Sequence, residues 1–227
     1  KTVVSVLFSL GIAFAAQAQS EIAAESTGSD TRHDKQKQSG LPISEAERII
    51  NLESTLQSDQ EKLAKLKPAF QKDGSVTAGN ASSLNDGAAA LVLASEDKVK
   101  ALGLKPLAEI KAFSTKAVDP HYVGIASVPA IKDVLEQTEL VLGDVDLFEV
   151  NEAFASYYLA CEKELGLDRE KTNVNGSGIS LGHPVGCTGA RLIVTLYYEL
   201  ERQGLNLGIA GLCAGGGVGT AVMLERC

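Results

Sequence analysis

Two short stretches of this 227-residue chain set a proton-transferring side chain among glycines, and a third adds an amide. His183 lies in Gly182-His183-Pro184-Val185-Gly186, Cys213 in Cys213-Ala214-Gly215-Gly216-Gly217, and Asn151 in Asn151-Glu152-Ala153-Phe154. Imidazole, thiol and carboxamide are the groups needed to deprotonate a carbon beside a thioester carbonyl and to hold the enolate that results. A thiol titrating at about 8.5 can give and take protons near neutral pH. Gly215 and Gly216 let backbone N–H groups converge on a developing oxyanion at low steric cost. Asn151 can anchor a water or a carbonyl. No further cysteine is placed to act as an acyl-accepting nucleophile.

Each residue also has a plainer reading. Cys213 can be a buried, inert strand cysteine. His183 can cap a tight turn, and Asn151 can be the N-cap of the next helix. A zinc site built from His183, Cys187, Cys161 and Cys213 is a further option, although the spacing lacks a second close ligand pair.

The elements that must position these groups follow from periodicity. Residues 88–94 form a continuous apolar run and read as a buried strand. A helix is expected over 96–102, ended by Gly103. Strands are expected within 107–118 and at 145–150, with a helix over 128–137 between them. The second strand leads directly to Asn151, at the carboxyl end where α/β sheets place ligands. His183 precedes a helix of about twenty residues running to Gln203, with Leu192, Ile193, Leu196 and Leu200 on one face. A helix N-terminus there would disfavour the imidazolium. Strands at 208–212 and 219–224 follow, joined through the glycine turn. The order implies an α/β layered domain with a mostly parallel five-stranded sheet flanked by helices.

Taken together, TAGNASSLNDGAAALVLAS, FEVNEAFA, NGSGISLGHPVGCTGAR and LCAGGGVGTAV resemble the C-terminal half of a thiolase, an acetyl-CoA acetyltransferase. The resemblance runs from near Glu61 to the C-terminus. It implies a Claisen condensation, or its reverse thiolysis, on acyl-CoA thioesters. The coenzyme A thioester is the substrate, and no cofactor is bound covalently. Cys213 is then the acid/base cysteine. His183 activates the acyl-accepting cysteine and, with a water held by Asn151, binds the enolate oxygen. The Gly215 N–H forms half of an oxyanion hole. Phe70, Ala78, Ser82, Ala153 and Phe154 match positions lining the pantetheine tunnel. The nucleophilic cysteine belongs to the family's first half, and residues 1–60 contain no cysteine and none of that half's motifs. In the family the two halves pack central helices together, so Leu192, Ile193 and Leu196 are expected to form an exposed apolar face prone to self-association.

Composition sets the outer bounds. A net charge of −8 argues against a nucleic-acid surface, and 44% apolar content is ample for a core. All four cysteines, Cys161, Cys187, Cys213 and Cys227, fall in the last third, which reads as reduced thiols and not as a disulfide framework. Residues 1–19 look like a secretory signal, with Lys1 before an apolar run and Ala16-Gln17-Ala18 as a cleavage pattern. It is too short to be read as a membrane span. Residues 20–43 read as a polar linker. Residues 44–66 read as an amphipathic helix opened by a capping box at Ser44 and Glu47, and residues 67–227 as the thiolase C-terminal-type domain. The simplest expectation is a foreign leader joined to a thiolase second half: export by its leader, cytoplasm by its family.

Overall fold

Three consecutive glycines decide the topology of the sheet. Gly215, Gly216 and Gly217 join β3 (Leu207–Ala214) to β4 (Val218–Arg226) in a turn too short for a crossover, so the two strands pair antiparallel, with Ala214 opposite Val218. Gly216 and Gly217 have φ of 84° and 85°, a region that side chains other than glycine's rarely adopt. The structure, a computed structural model, describes residues 58–227. The signal-like segment, the linker and most of the expected 44–66 helix lie outside that range. Residues 58–63 are helical. The residues from Pro68 to Cys227 belong to a separate unit.

Its elements are α1 (Glu96–Leu102), β1 (Ala108–Ala117), a 3-10 segment (Pro120–Ile125), α2 (Ser127–Thr138), β2 (Leu147–Val150), α3 (Ala155–Leu165), the single turn α4 (Gly178–Leu181), α5 (Thr188–Gln203), and then β3 and β4. The sheet has four strands in the order β1-β4-β3-β2. Only β2 and β3 run parallel, and β4 is antiparallel to both of its neighbours. The expected mostly parallel, five-stranded sheet is therefore corrected to a mixed, four-stranded one. The hairpin forces one antiparallel pair, and β1 adds to its far side. Residues 88–94 are not a strand and stay half-exposed to exposed. A run of small residues buries little area, and no described strand lies beside it to complete a ladder.

Two helical layers sandwich the sheet. On one face Ile131 and Val134 of α2 pack with Phe148, Val150, Ile209 and Met223. On the other, Leu192, Leu196 and Leu200 of α5 pack with Leu147, Ala210 and Leu224. Burying each such leucine is worth about 1.5–3 kcal/mol. This overturns the expectation of an exposed apolar face on this helix, since Leu192 and Leu196 are buried against the sheet and Ile193 is partly so. Strand β3 alternates between the two layers, Ile209 to one and Ala210 to the other, hence its continuous apolar sequence.

The helix ends follow local chemistry. Ser95 caps α1 by accepting from Lys98 N, and Gly103 closes it in the left-handed conformation. Gly204 closes α5 in the same way. That helix begins at Thr188, not beside His183, because Cys187 N and Thr188 N both bond Pro184 O and make a separate turn of residues 184–188.

The two sheet edges differ. Beside β2, Phe148 N donates to Lys171 O (2.8 Å) and Asn173 N to Phe148 O (2.9 Å), while the Asn173 amide clamps both the N–H and the C=O of Val150 at 2.8 Å. At the opposite edge β1 carries a register irregularity between Ile110 and Ala112, with Lys111 paired to Glu225 at 2.8 Å and Lys116 to Asp133 at 2.6 Å.

Candidate active site

Strand β2 ends at Val150, and Asn151 continues it by one residue, donating its N–H to Gly211 O of β3 at 2.9 Å. Ser177 Oγ bonds Val150 O at 3.2 Å. A Cβ on Gly178 would come within 3.0 Å of Asn151 Oδ1, so only glycine lets α4 approach this closely. The helix after β2 starts at Ala155 with Phe154 at its N-cap, so Asn151 is not a helix cap. Its amide turns instead toward His183, with Nδ2 3.5 Å from Nε2. Asn151 Oδ1 is buried and has no hydrogen-bond partner.

His183 is held from three sides. Its backbone N–H donates to Asn85 Oδ1 at 2.9 Å, and the residue bridges to Leu84 as a short parallel pair. Its Nδ1 lies 2.7 Å from Thr188 Oγ1. Burial, and then the positive charge of Arg191, push its pKa down, so the neutral ring is favoured. The expected cause, a helix N-terminus beside the ring, is replaced by these two because α5 begins five residues later.

Cys213 sits near the end of β3, opposite Gly219 of β4. Burial pushes its thiol up, the neighbouring Cys161 adds to the rise, and its own backbone opposes it. Its sulfur lies outside the hydrogen-bonded set of His183, Asn151 and Thr188. Gly215, one residue past the strand, is exposed, with nothing within 4 Å of where a Cβ would stand. The structure thus joins His183 to Asn151 directly and sets Cys213 and Gly215 at the same carboxyl edge of the parallel pair.

The remaining expected residues gather on the flank of this edge. Ser82 bonds Ala153 O through both its N–H (3.0 Å) and its hydroxyl (2.9 Å), and Asn80 O accepts from Ala155 N at 2.9 Å. Phe154 stacks edge-on with Phe70 (6.0 Å between centroids) and with Tyr157 (4.9 Å). Phe70 itself is exposed, as is Ala78, which lies in the loop pinned by Asn80 Oδ1 on Thr77 N. Residues 80–85 therefore link the two flanks, holding Ala153 at one end and His183 at the other. The zinc option does not assemble: among the described residues no three of His, Cys, Asp and Glu are placed to hold a metal ion. Cys161 instead faces Ser127 Oγ (3.2 Å) and Gly124 O (3.3 Å).

Two buried ionisable groups escape sequence reasoning. Glu149 of β2 is 2% exposed, and burial pushes its pKa up to about 8 against the opposing charge of Arg191, with Glu152 and Glu199 adding to the rise. Glu149 Oε2 and all three Arg191 guanidinium nitrogens are buried without hydrogen-bond partners. Being protonated in the fold and ionised when unfolded, Glu149 favours folding below its ordinary value of 4.5 and loses that contribution as pH rises through about 8. Glu149→Gln should remove this decline, which is on the order of 4 kcal/mol between those limits. Urea melts at pH 5 and pH 9 check it: a wild-type decline that the variant shares would show that Glu149 is not its source.

Comparisons with known proteins bear on the family and the fold. The family model described as Thiolase, C-terminal domain matches residues 104–226, more than half of the chain. The chain belongs to the thiolase family. The thiolase N-terminal domain model matches residues 13–97, which overturns the expectation that nothing before Glu61 resembles the family's first half. Among curated thiolase relatives, acetyl-CoA acetyltransferase of Escherichia coli is 52% identical over 169 residues, 74% of this chain and 43% of that protein. The crystal structure of the Bacillus anthracis acetyl-CoA acetyltransferase superposes with a TM-score of 0.72 at 63% identity, over 74% of this chain and 42% of that one. Human mitochondrial 3-ketoacyl-CoA thiolase in complex with CoA gives 0.72 at 50% identity over the same shares. The chain spans about 43% of the length of such thiolases.

Proposed function

We propose that this chain carries the acid/base and enolate-binding part of an acetyl-CoA acetyltransferase site, acting on acyl-CoA thioesters. The observation that carries the reading is the approach of His183 Nε2 to Asn151 Nδ2 at the carboxyl edge of the parallel strands. His183 takes the proton of the acyl-accepting cysteine and then, protonated, faces the enolate oxygen together with a water on Asn151. Cys213 removes the α-proton in condensation and returns it in thiolysis. The Gly215 N–H supplies one donor to the acyl-enzyme oxyanion. Phe70, Ala78, Ser82, Ala153 and Phe154 line the pantetheine arm of the coenzyme A thioester. Relatives named as acetyl-CoA acetyltransferases, and one solved with CoA, support this substrate class.

The nucleophilic cysteine is not among the four of this chain in this reading. Alone, the chain is therefore expected to turn over no acetoacetyl-CoA in a thiolysis assay. Adding the separately expressed first half of a related thiolase should restore turnover. Failure to restore it with a pair that demonstrably associates would leave a CoA-site module without catalysis as the better description.

Self-association belongs to the same proposal, through a different surface from the helix face expected at first. Leu84, Leu181 and Val185 are 42–89% exposed, and Leu84 adjoins His183. An apolar border of this kind around a site calls for cover. Light scattering should show assemblies larger than the monomer, dispersed by Leu84→Ser with Val185→Ser. A monomer at high concentration would refute it. Among the described residues no helix is long and apolar enough to cross a membrane, and cytoplasmic placement is carried over from the family only.

A further inference from the structure

We propose that Thr188 is a positioning residue that decides which nitrogen of His183 carries the proton, leaving Nε2 bare on the side that faces Asn151. The argument is a count of hydrogens. The Thr188 hydroxyl has one hydrogen and two neighbours, Pro184 O at 3.0 Å and His183 Nδ1 at 2.7 Å. A carbonyl oxygen can only accept, and Pro184 O, which already accepts from the N–H groups of Cys187 and Thr188, receives the hydroxyl hydrogen as a further donor in the back-bonded arrangement common for a helical threonine. The short contact to the ring then requires Nδ1 to bring its own hydrogen and donate to Oγ1. At the far side of the ring, Asn151 Nδ2 can only donate, so a hydrogen on Nε2 would point at another hydrogen across 3.5 Å. With the Thr188 hydroxyl on Pro184 O and the Asn151 amide placed as it is, both sides of the ring favour the same tautomer.

Local construction supports the role. Thr188 is fully buried at the first turn of α5, so its hydroxyl has no water to turn toward. Asn85 fixes the backbone from which the ring projects. The neutral ring is the favoured form, since burial and Arg191 both oppose a second proton. The opposite tautomer would need two changes together: the Thr188 hydroxyl swinging off Pro184 O, and the Asn151 amide turning over to present Oδ1.

The consequence rests on the function proposed above. A ring with its resting proton on Nε2 would have no basic nitrogen facing the reacting thiol. With Nδ1–H held by Thr188, Nε2 accepts the thiol proton, and the imidazolium so formed presents Nε2–H to an oxyanion.

Long-range proton–nitrogen correlation spectra of the ¹⁵N-labelled full chain read the tautomer directly. There are three histidines, His33, His121 and His183, and His183→Gln identifies the signal that matters. At neutral pH His183 should carry its hydrogen on Nδ1, and Thr188→Ser should keep it there. Thr188→Val, which removes the hydroxyl and little else, should shift the majority to Nε2–H. Wild-type protein with Nε2–H, or an unchanged signal in Thr188→Val, overturns the proposal. If that variant does not fold, the wild-type tautomer alone decides. Turnover of the chain paired with a thiolase first half separates this claim from the functional one. Thr188→Val should lower kcat on the order of 10²-fold with little change in KM, and Thr188→Ser should restore it. The Nδ1–H tautomer in a pair that catalyses nothing would sink the function and leave the role of Thr188 standing.

Discussion

Paired with a related first half, the Cys213→Ala chain is expected to lose on the order of 10²- to 10⁴-fold in thiolysis of acetoacetyl-CoA, and His183→Ala a comparable factor. Asn151→Ala should lose less, about 10²- to 10³-fold, the scale of one oxyanion-binding group. The pH profile of the wild-type pair adds a signature. Thiolysis needs His183 neutral and Cys213 protonated. Burial and Arg191 push the imidazole below its ordinary 6.5, so the acid limb should fall below that value. Burial and Cys161 push the thiol above its ordinary value, so the alkaline limb should move up with it. Full turnover in Cys213→Ala would remove this residue from the mechanism. The test is needed because Cys213 shares a sheet edge with His183 and Asn151 but lies outside their hydrogen-bonded set.

Gly219→Ala should cost on the order of 5 kcal/mol and leave the chain largely unfolded, beyond the usual 1–3 kcal/mol of overpacking. A Cβ there would stand 1.8 Å from Ala126 O, 2.1 Å from Ala126 C and 2.6 Å from Ser127 N. All three are backbone atoms where the chain enters α2, so no rotamer change relieves the clash. Gly219 lies in β4, between Cys213 of β3 and Lys116 of β1, so moving it disturbs both ladders. Gly215→Ala is the control, with open space around its Cβ and no left-handed backbone. Denaturant titration of the two variants checks the contrast, and a Gly219→Ala midpoint equal to wild type would refute it.

Local signals were readable in the sequence and pairwise ones were not. The helix at Glu96–Leu102 announces its end through Gly103, and α5 announces itself through its apolar spacing. Strand pairing depends on partners far along the chain. The glycine turn alone implies the β3–β4 hairpin, but nothing local tells that β1 joins beyond β4, or that residues 88–94 find no ladder. The candidate site divides in the same way. Asn151, His183 and Cys213 stand out by residue type and glycine setting. Thr188 looks like an ordinary helix residue until the turn at Pro184 brings its hydroxyl under the ring. Asn85 reads as part of a turn because its partner is 98 positions away. Glu149 and Arg191 stay hidden because burial, the property that makes them unusual, is not written at either position.

The asymmetric borders of the sheet bear on how this chain could convert into fibrils. Accretion of a foreign strand alongside β2 would first have to strip away residues 171–173 and the clamp of Asn173 on Val150, which already occupy that border. Templating is left to β1, where the ladder breaks step at Ile110 and Ala112 and an incoming chain meets Glu109, Lys111 and Lys116 in succession. One border is taken and the other is a poor mould.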